Sequence, residues 1–494
     1  PNIGQQPSAQ SIISDLQALK RAGFTGIVTY GASGSLGTLI PGLAKQEGFD
    51  GLIIGVWNPG SQSEIATAVG WSNLPNLVGY CVGNEGLLDS TYTMPILASA
   101  IQQVRGATGK PVTTTEVIDS YLNNPTLLNC GDWVYPNAHP YYHNIKDPTA
   151  ASQWTVNSYN SLRAQTNQVL IFKEVGLPTA GDPACSPAGQ QQYYTLLKNS
   201  AAKFNYFEAF DQPWKTWTSV EPYWGVLQSD RAAKPLGQYL SNTYLPNMSF
   251  YIYQDAGYFA NHYIPSGFIG DTGDLTINTA STQAYSGSTS CQITYSPKGT
   301  QGWAGIYWQD PVNNWGTNGS LIATGYDLSL YNSLQLYARS DNPCTVTFEV
   351  GGINNAFGDS QTTPVSVTSQ LNQSWQLISI PLSGANLSHI IGGFCLSIAK
   401  SNNPSGANFY LDEIKFVANQ TGSTPPPSPP PAPPAPPPPP AALIPVPGKP
   451  GQLVKWAKPP KPARPIKIRP VKVRPIKQAR PAKPISERHA YKTY

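Results

Sequence analysis

Charge is scarce in this sequence: Asp, Glu, Lys and Arg together make up 12% of 494 residues, little more than the 11% that are Phe, Trp or Tyr. A chain so poor in charge, yet rich in Tyr, Trp, Asn, Gln and Ser, is ill suited to nucleic acid. It suits neutral, hydroxyl-bearing ligands, of which carbohydrate is the natural one. No apolar run approaches the roughly 20 residues that a spanning helix needs, so no membrane span is expected. Cysteine is sparse as well. Its six copies fall three and three, at Cys81, Cys130 and Cys185 and at Cys291, Cys344 and Cys395, too few for a dense disulfide framework. Cys81, inside an apolar strand, is expected as a buried thiol. No His, Cys and Asp cluster has metal-ligand spacing and there is no Gly-rich phosphate loop, so neither a catalytic metal nor a cofactor is required. An initiator Met is missing before Pro1, which reads as a processed, secreted chain.

The charge that is present lies unevenly. Residues 449–494 hold 14 of the 31 Lys and Arg but one of the 27 Asp and Glu, a local balance of +13 that leaves the rest of the chain at −9. Proline crowds into 419–448 around PPPSPPPAPPAPPPPP, a stiff polyproline II spacer. The segment beyond it repeats RPIK, RPVK, RPIK and RPAK from Arg464, Arg469, Arg474 and Arg480, and cannot build a core. The expected division is therefore two folded domains at 1–246 and 247–418, a linker at 419–448 and a basic tail at 449–494. Five sequons, at Asn247, Asn318, Asn372, Asn386 and Asn419, fit a secreted, extracellular glycoprotein.

The apolar residues of SIISDLQALKRA (11–22) recur at helical spacing, and Gly23 stops that helix before a β-rich run, GFTGIVTYGA. The alternation then repeats. Strands are expected at 24–31, 50–58, 77–87, 110–117, 132–142, 168–176 and 205–214, with helices such as 92–106 and 188–203 between them. Continuous apolar strands, each followed by a helix, argue a parallel sheet buried on both faces. A closed (β/α)8 barrel needs an eighth strand, which is expected before residue 11. Counted that way, Glu85 ends strand four and Glu174 ends strand seven, on the face where such barrels carry their sites. From 247 to 418, short alternating strands separated by Gly, Asn, Pro and Ser read as an antiparallel β-sandwich of jelly-roll type.

Cleaving a glycosidic bond with retention takes one carboxylic acid to protonate the leaving oxygen and one carboxylate to attack the anomeric carbon. Two strand-end glutamates at one mouth supply that pair. In GNEGL, Glu85 follows Asn84, whose amide suits a sugar 2-hydroxyl, and Gly83 and Gly86 leave room for close approach. In FKEVGLPT, Glu174 ends an apolar strand that Gly176 and Pro178 turn. The plainer reading of each is a structural strand-end carboxylate.

The segments GQQPS, IVTYG, GVWN, VGNEGLL, PVTTTEV, NAHPYY, KEVGLPT and FEAFDQPWK, spread over residues 4–240, resemble glycoside hydrolase family 17, the β-1,3-glucanase family. The resemblance implies a (β/α)8 barrel and a retaining mechanism on β-1,3-linked glucan, with Glu85 as acid/base and Glu174 as nucleophile. It implies Tyr30, Trp57, Asn84, His139, Tyr141, Glu208, Trp214 and Lys215 as cleft residues. Two positions depart from the family pattern. Val28 stands where Arg is common, which weakens charge support near the nucleophile, and Leu177 stands where Trp is common, which removes an aromatic wall.

In the second module, NHYIPSGFIGDTGDLTIN and GWAGIYWQDPVNNWG look like segments of sugar-binding jelly-roll modules. Trp303, Tyr307, Trp308 and Trp315 are thus candidates for stacking on pyranose rings or, by alternation, for the core. Asp271 and Asp274 are candidates for a structural calcium ion. The tail suits adhesion to acidic wall polysaccharide, and IKIRPVKVRPIK suits a strand added to a neighbouring copy. Readings from different classes therefore stand side by side. One is a secreted cell-wall glycosidase with β-glucan as its partner. The other is a glycosidase-like subunit of an extracellular filament or wall layer, assembled through its Pro-rich and basic tail. A purely binding protein comes third, favoured only if the two glutamates are misplaced.

Overall fold

The computed structural model describes residues 6–317 and 324–418. The expected first strand around Pro1–Gln5, the linker and the basic tail lie outside the described residues. The N-terminal region alternates helix and strand as α1 (Ala9–Arg21), β1 (Gly26–Val28), α2 (Gly34–Gln46), β2 (Gly51–Val56), α3 (Gln62–Val69), β3 (Leu77–Val82), α4 (Met94–Thr108), β4 (Val112–Thr113), α5 (Ile118–Asn123), β5 (Asn137–Ala138), α6 (Pro148–Arg163), β6 (Phe172–Val175), α7 (Pro187–Lys198), β7 (Phe204–Tyr206) and α8 (Pro235–Tyr244). The helix starts carry their signals in the sequence. The Ser8 side chain accepts from Ser11 N ahead of α1, Asp147 does the same for α6, and Pro opens α6, α7 and α8.

The strands pair in parallel as β1–β2–β3–β4 and as β5–β6–β7, and a parallel bridge from Val117 to Asn137 connects the two runs. Every residue of β6 is buried, as continuous apolar strands between helices should be. Seven strands form among the described residues, in the places the sequence leads one to expect. Several are much shorter than their expected runs, β4 and β5 with two residues each and β7 with three; at β5, Pro136 and Pro140 flank the two residues, and the chain passes into a 3-10 turn at Pro140–His143.

The C-terminal region holds eleven strands among the described residues, β8 (Ser249–Tyr253), β9 (Ile264–Gly270), β10 (Leu275–Ser281), β11 (Ser290–Tyr295), β12 (Trp303–Gln309), β13 (Ser333–Ser340), β14 (Cys344–Val350), β15 (Val365–Leu371), β16 (Gln376–Pro381), β17 (Gly392–Ala399) and β18 (Ala407–Val417). They form two antiparallel sheets, β10–β11–β18–β13–β16 with β8 also on β18, and β15–β14–β17–β12–β9. Burial alternates residue by residue along β13 and β14, and one apolar core that includes Phe250, Trp308, Leu334, Phe348, Phe394 and Phe416 draws on both sheets.

The two regions meet at the turn that leads into β2, at the amino ends of the parallel strands. Lys45 forms a buried ion pair with Asp310 and lies 3.9 Å from the Tyr326 ring centroid. Asp50 faces His262 at 3.1 Å, and Asp327 N donates to Gln46 O at 2.8 Å. Phe250 comes so close to Gly48, whose φ is +70°, that a Cβ there would lie 3.0 Å from its ring.

Candidate active site

At the carboxyl end of β3 the chain turns sharply. Gly83 has φ 80° and Glu85 has φ 54°. Glycine takes the first freely, whereas a residue with a side chain is held in the second at a cost of about 1–3 kcal/mol. What over-determines the turn is Glu116, a fully buried carboxylate just after β4. It accepts from Leu87 N at 2.9 Å, from Leu88 N at 3.2 Å and from the Tyr92 hydroxyl at 3.5 Å, while Gly86 N donates to that hydroxyl at 3.0 Å. Tyr92 fills the space under both glycines, since a Cβ at Gly83 or Gly86 would fall 2.3 or 2.1 Å from it.

The turn directs Glu85 toward β5, where Asn137 Nδ2 donates to Glu85 Oε1 at 2.8 Å. Asn137 is in turn the ladder partner of Glu174 on β6. A second bridge connects the same two loci: Lys173 Nζ donates to Glu174 Oε1 at 2.7 Å and to Asn84 Oδ1 at 2.6 Å, and lies 4.2 Å from the Tyr30 ring centroid. Sequence separation of 89 residues is thus closed by hydrogen bonds. His139 Nε2 stands 3.6 Å from Glu174 Oε2. Beyond β7, Glu208 pairs with Lys215 at 2.8 Å, and Lys215 lies 4.9 Å from the Phe207 centroid and 5.9 Å from that of Trp214. Trp57 meets Tyr30 edge to face at 6.4 Å. The Tyr141 hydroxyl donates to Asp182 at 3.0 Å, one residue before Tyr142, which pairs with Glu221.

The environment separates the two glutamates electrostatically. Burial, reinforced by the charge of Glu174, pushes the Glu85 carboxyl up to about 7. Burial pushes Glu174 up as well, but Lys173 first and His139 next outweigh it and hold that carboxyl below the usual value. Burial raises Glu208 to about 7 against the pull of Lys215, and lowers His139 to about 4, which leaves its imidazole neutral near pH 7. A protonated acid and an ionised carboxylate at one mouth can act as proton donor and nucleophile.

Glu116, Asn137, Lys173 and Trp224 belong to this site although motif spacing does not single them out. Trp224 is fully buried and packs on His139 at 5.3 Å, on Phe207 at 5.4 Å and, stacked, on Tyr142 at 5.9 Å. A charged residue inside an apolar strand run is the one signal that Glu116 and Lys173 offer. Leu177 is buried in the core between α6 and α7 and makes no wall for the mouth.

The sandwich candidates take different places, and one of them is a correction. Trp308 has no exposed surface and belongs to the core, because β12 turns it inward with Ala304 and Ile306. Tyr307 points outward but is covered by Trp315, edge to face at 5.9 Å. Trp303 is 37% exposed and rims a cavity of about 250 Å³ lined by Thr345, Thr347, Ser397, Ala399 and Asn402. Asp271 and Asp274 do not fit a calcium ion: their carboxylates are taken by backbone N–H groups of Lys298, Gly299, Gln301 and Gly302 at 2.7–3.1 Å. Among the described residues no group of three or more His, Cys, Asp or Glu could hold a metal ion, and no helix is long and apolar enough to cross a membrane. Asn247, Asn372 and Asn386 are exposed, while Asn318 and Asn419 lie outside the described residues.

Residues 2–225 match the family model of the BtgE/BtgC glycoside hydrolase domain. The N-terminal region is thus similar to glycoside hydrolase domains of the family 17, β-1,3-glucanase-like kind. The probable glucan endo-1,3-beta-glucosidase btgC of Aspergillus fumigatus is 30% identical over 193 residues, covering 32% of this chain and 28% of that protein. The probable family 17 glucosidase SCW10 of Saccharomyces cerevisiae is 26% identical over 247 residues, 46% of this chain and 62% of that one. Among solved structures, a family 17 β-1,3-glucanosyltransferase from Rhizomucor miehei is 24% identical with a TM-score of 0.42, over 48% of this chain and 93% of that one. The chain spans less than two thirds of the length of these curated relatives.

Proposed function

We propose that this protein is a retaining glycoside hydrolase that cleaves β-1,3-linked glucan of cell walls or extracellular matrix by double displacement. In this reading the seven parallel strands belong to a (β/α)8 barrel. The observation that carries it is the opposite state of two glutamates tied to one mouth: Glu85 raised to about 7 and Glu174 held low. Glu85 gives its proton to the leaving oxygen while Glu174 attacks the anomeric carbon. Glu85, now a carboxylate, then takes a proton from the water that releases the sugar. Asn84 donates to the 2-hydroxyl, and neutral His139 and Glu208, each with one polar atom that lacks a hydrogen-bond partner, receive the other hydroxyls. Tyr30, Trp57, Tyr141 and Trp214 offer ring faces, and Lys215 keeps Glu208 in place. The β-1,3 linkage follows the relative named glucan endo-1,3-beta-glucosidase.

The hydroxyl-lined cavity beside Trp303 supports a second sugar contact on the sandwich, and the low charged fraction with exposed sequons supports a secreted, wall-associated protein. The basic tail serves as a tether to acidic polysaccharide. The test is reducing-sugar release from a soluble β-1,3-glucan by the purified chain and by Glu85→Gln and Glu174→Gln. Loss in both variants establishes the hydrolase. A wild-type chain as inert as its variants on β-1,3-, mixed-linkage and β-1,6-glucans makes the domain a scaffold, and the filament or wall-layer subunit then takes first place.

A further inference from the structure

We propose that Lys173 is the positioning residue on which this site depends: its ammonium keeps Glu174 ionised beside the protonated Glu85 and fixes the amide of Asn84 for the sugar. The inference rests on the double-displacement reading above. Lys173 is 3% exposed in its side chain. Its charge reaches the buried Cys81 thiol, which packs in one apolar cluster with Val28 of β1 and Ile53, so β1 brings no cation to that cluster. Its three contacts all belong to the mouth, namely Glu174 Oε1, Asn84 Oδ1 and the face of Tyr30. Because Nζ donates to Oδ1 of Asn84, the amide's Nδ2 is left to donate to a hydroxyl of the substrate.

The arrangement of partners makes this lysine specific to one carboxylate. Glu116 takes backbone N–H groups, one oxygen of Glu208 takes Lys215 and Glu85 takes the Asn137 amide. Only Glu174 takes Lys173. Two neighbouring buried carboxylates without a cation hold a proton between them, and the proton has no reason to choose Glu85. With the ammonium against Glu174 it does choose. When the Glu174 oxygen bonds to the anomeric carbon, its charge is consumed as the proton of Glu85 moves to the leaving oxygen.

The experiment compares wild type with Lys173→Met and Lys173→Arg, each checked for wild-type thermal unfolding. Two readouts are taken: the pH profile of kcat/KM on soluble β-1,3-glucan, and the titration of Glu174 by carbon-13 NMR of glutamate-labelled protein, assigned with Glu174→Gln. In Lys173→Met the acid limb and the Glu174 titration should both move up by about one to three pH units. At pH 5 kcat should fall about tenfold or more, with KM changed far less, and Lys173→Arg should recover most of the limb. An unmoved Glu174 titration in Lys173→Met overturns the proposal, whether activity survives or not. If the wild-type chain is itself inert, a shifted titration leaves the role of Lys173 standing and removes the hydrolase reading alone.

Discussion

Replacing Glu85 with Gln is expected to stabilise the protein at pH 8 and to change little at pH 5. In the folded protein the Glu85 carboxyl titrates at about 7, against 4.5 when freely hydrated. Below pH 4.5 both states hold the proton and folding is indifferent to it. Between 4.5 and 7 the unfolded chain ionises while the folded chain does not, so stability falls as pH rises; above 7 the loss is complete. A raised carboxyl value therefore favours the folded state in acid, the reverse of a salt-bridged carboxylate. A difference of 2.5 units corresponds to about 3 kcal/mol at pH 8, and to less than about 1 kcal/mol at pH 5. Gln cannot ionise, and it keeps an oxygen for the Asn137 amide, so it should recover most of that difference. Thermal unfolding read by circular dichroism at the two pH values measures it without any substrate. A gain at pH 8 no larger than at pH 5 would refute the reasoning, because Glu85 would then be an ordinary hydrated carboxylate with no claim to the acid role.

Glu116→Ala removes the acceptor of two backbone N–H groups and should lower stability by about 2–4 kcal/mol. It should also lower kcat, since the turn that carries Glu85 loses its support; an unchanged kcat would show that the turn holds itself. Trp308→Ala should cost about 3–5 kcal/mol in chemical denaturation of the sandwich, as a fully buried side chain does, and a loss below 1 kcal/mol would return Trp308 to the surface. Lys45→Met strands the Asp310 carboxylate in the interface and should destabilise by about 3–5 kcal/mol. If unfolding is unaffected, the two regions do not rely on that pair.

The alternation of helix and strand was legible because it rests on hydrophobic period, and Glu85 and Glu174 because their flanking glycines and proline mark strand ends. Lengths were not legible in the same way. The run 132–142 is rich in aromatic residues, yet Pro136 and Pro140 withhold two ladder donors and leave β5 with two residues. In the sandwich, the alternation of apolar and polar residues is visible in β15 (VSVTSQL) as it is in β13. The site's support was hidden for a physical reason. Glu116 acts on atoms 24 to 29 residues away and Lys173 reaches Asn84 across 89, and only folding brings these together. Trp308 and Trp303 are five residues apart on one strand, and neither composition nor motif tells which is inward. Register does, and it comes from pairing with β9 and β17.

The position of the sandwich decides how it can serve the active site. It is fixed at the amino ends of the parallel strands, through Lys45, Asp50 and Gly48, whereas Glu85 and Glu174 lie at the carboxyl ends. Under the proposed function, the cavity at Trp303 is then a separate contact and not a subsite of the cleft. It can only raise the local concentration of a long or insoluble polymer. Trp303→Ala should therefore leave kcat and KM on short soluble β-1,3-oligosaccharides unchanged and reduce both retention on, and hydrolysis of, insoluble β-1,3-glucan by a common factor. Trp57→Ala, in the mouth, should do the opposite and raise KM on the short substrates first. A Trp303 variant that fails on short oligosaccharides would place the sandwich in the cleft and contradict the arrangement of the two regions.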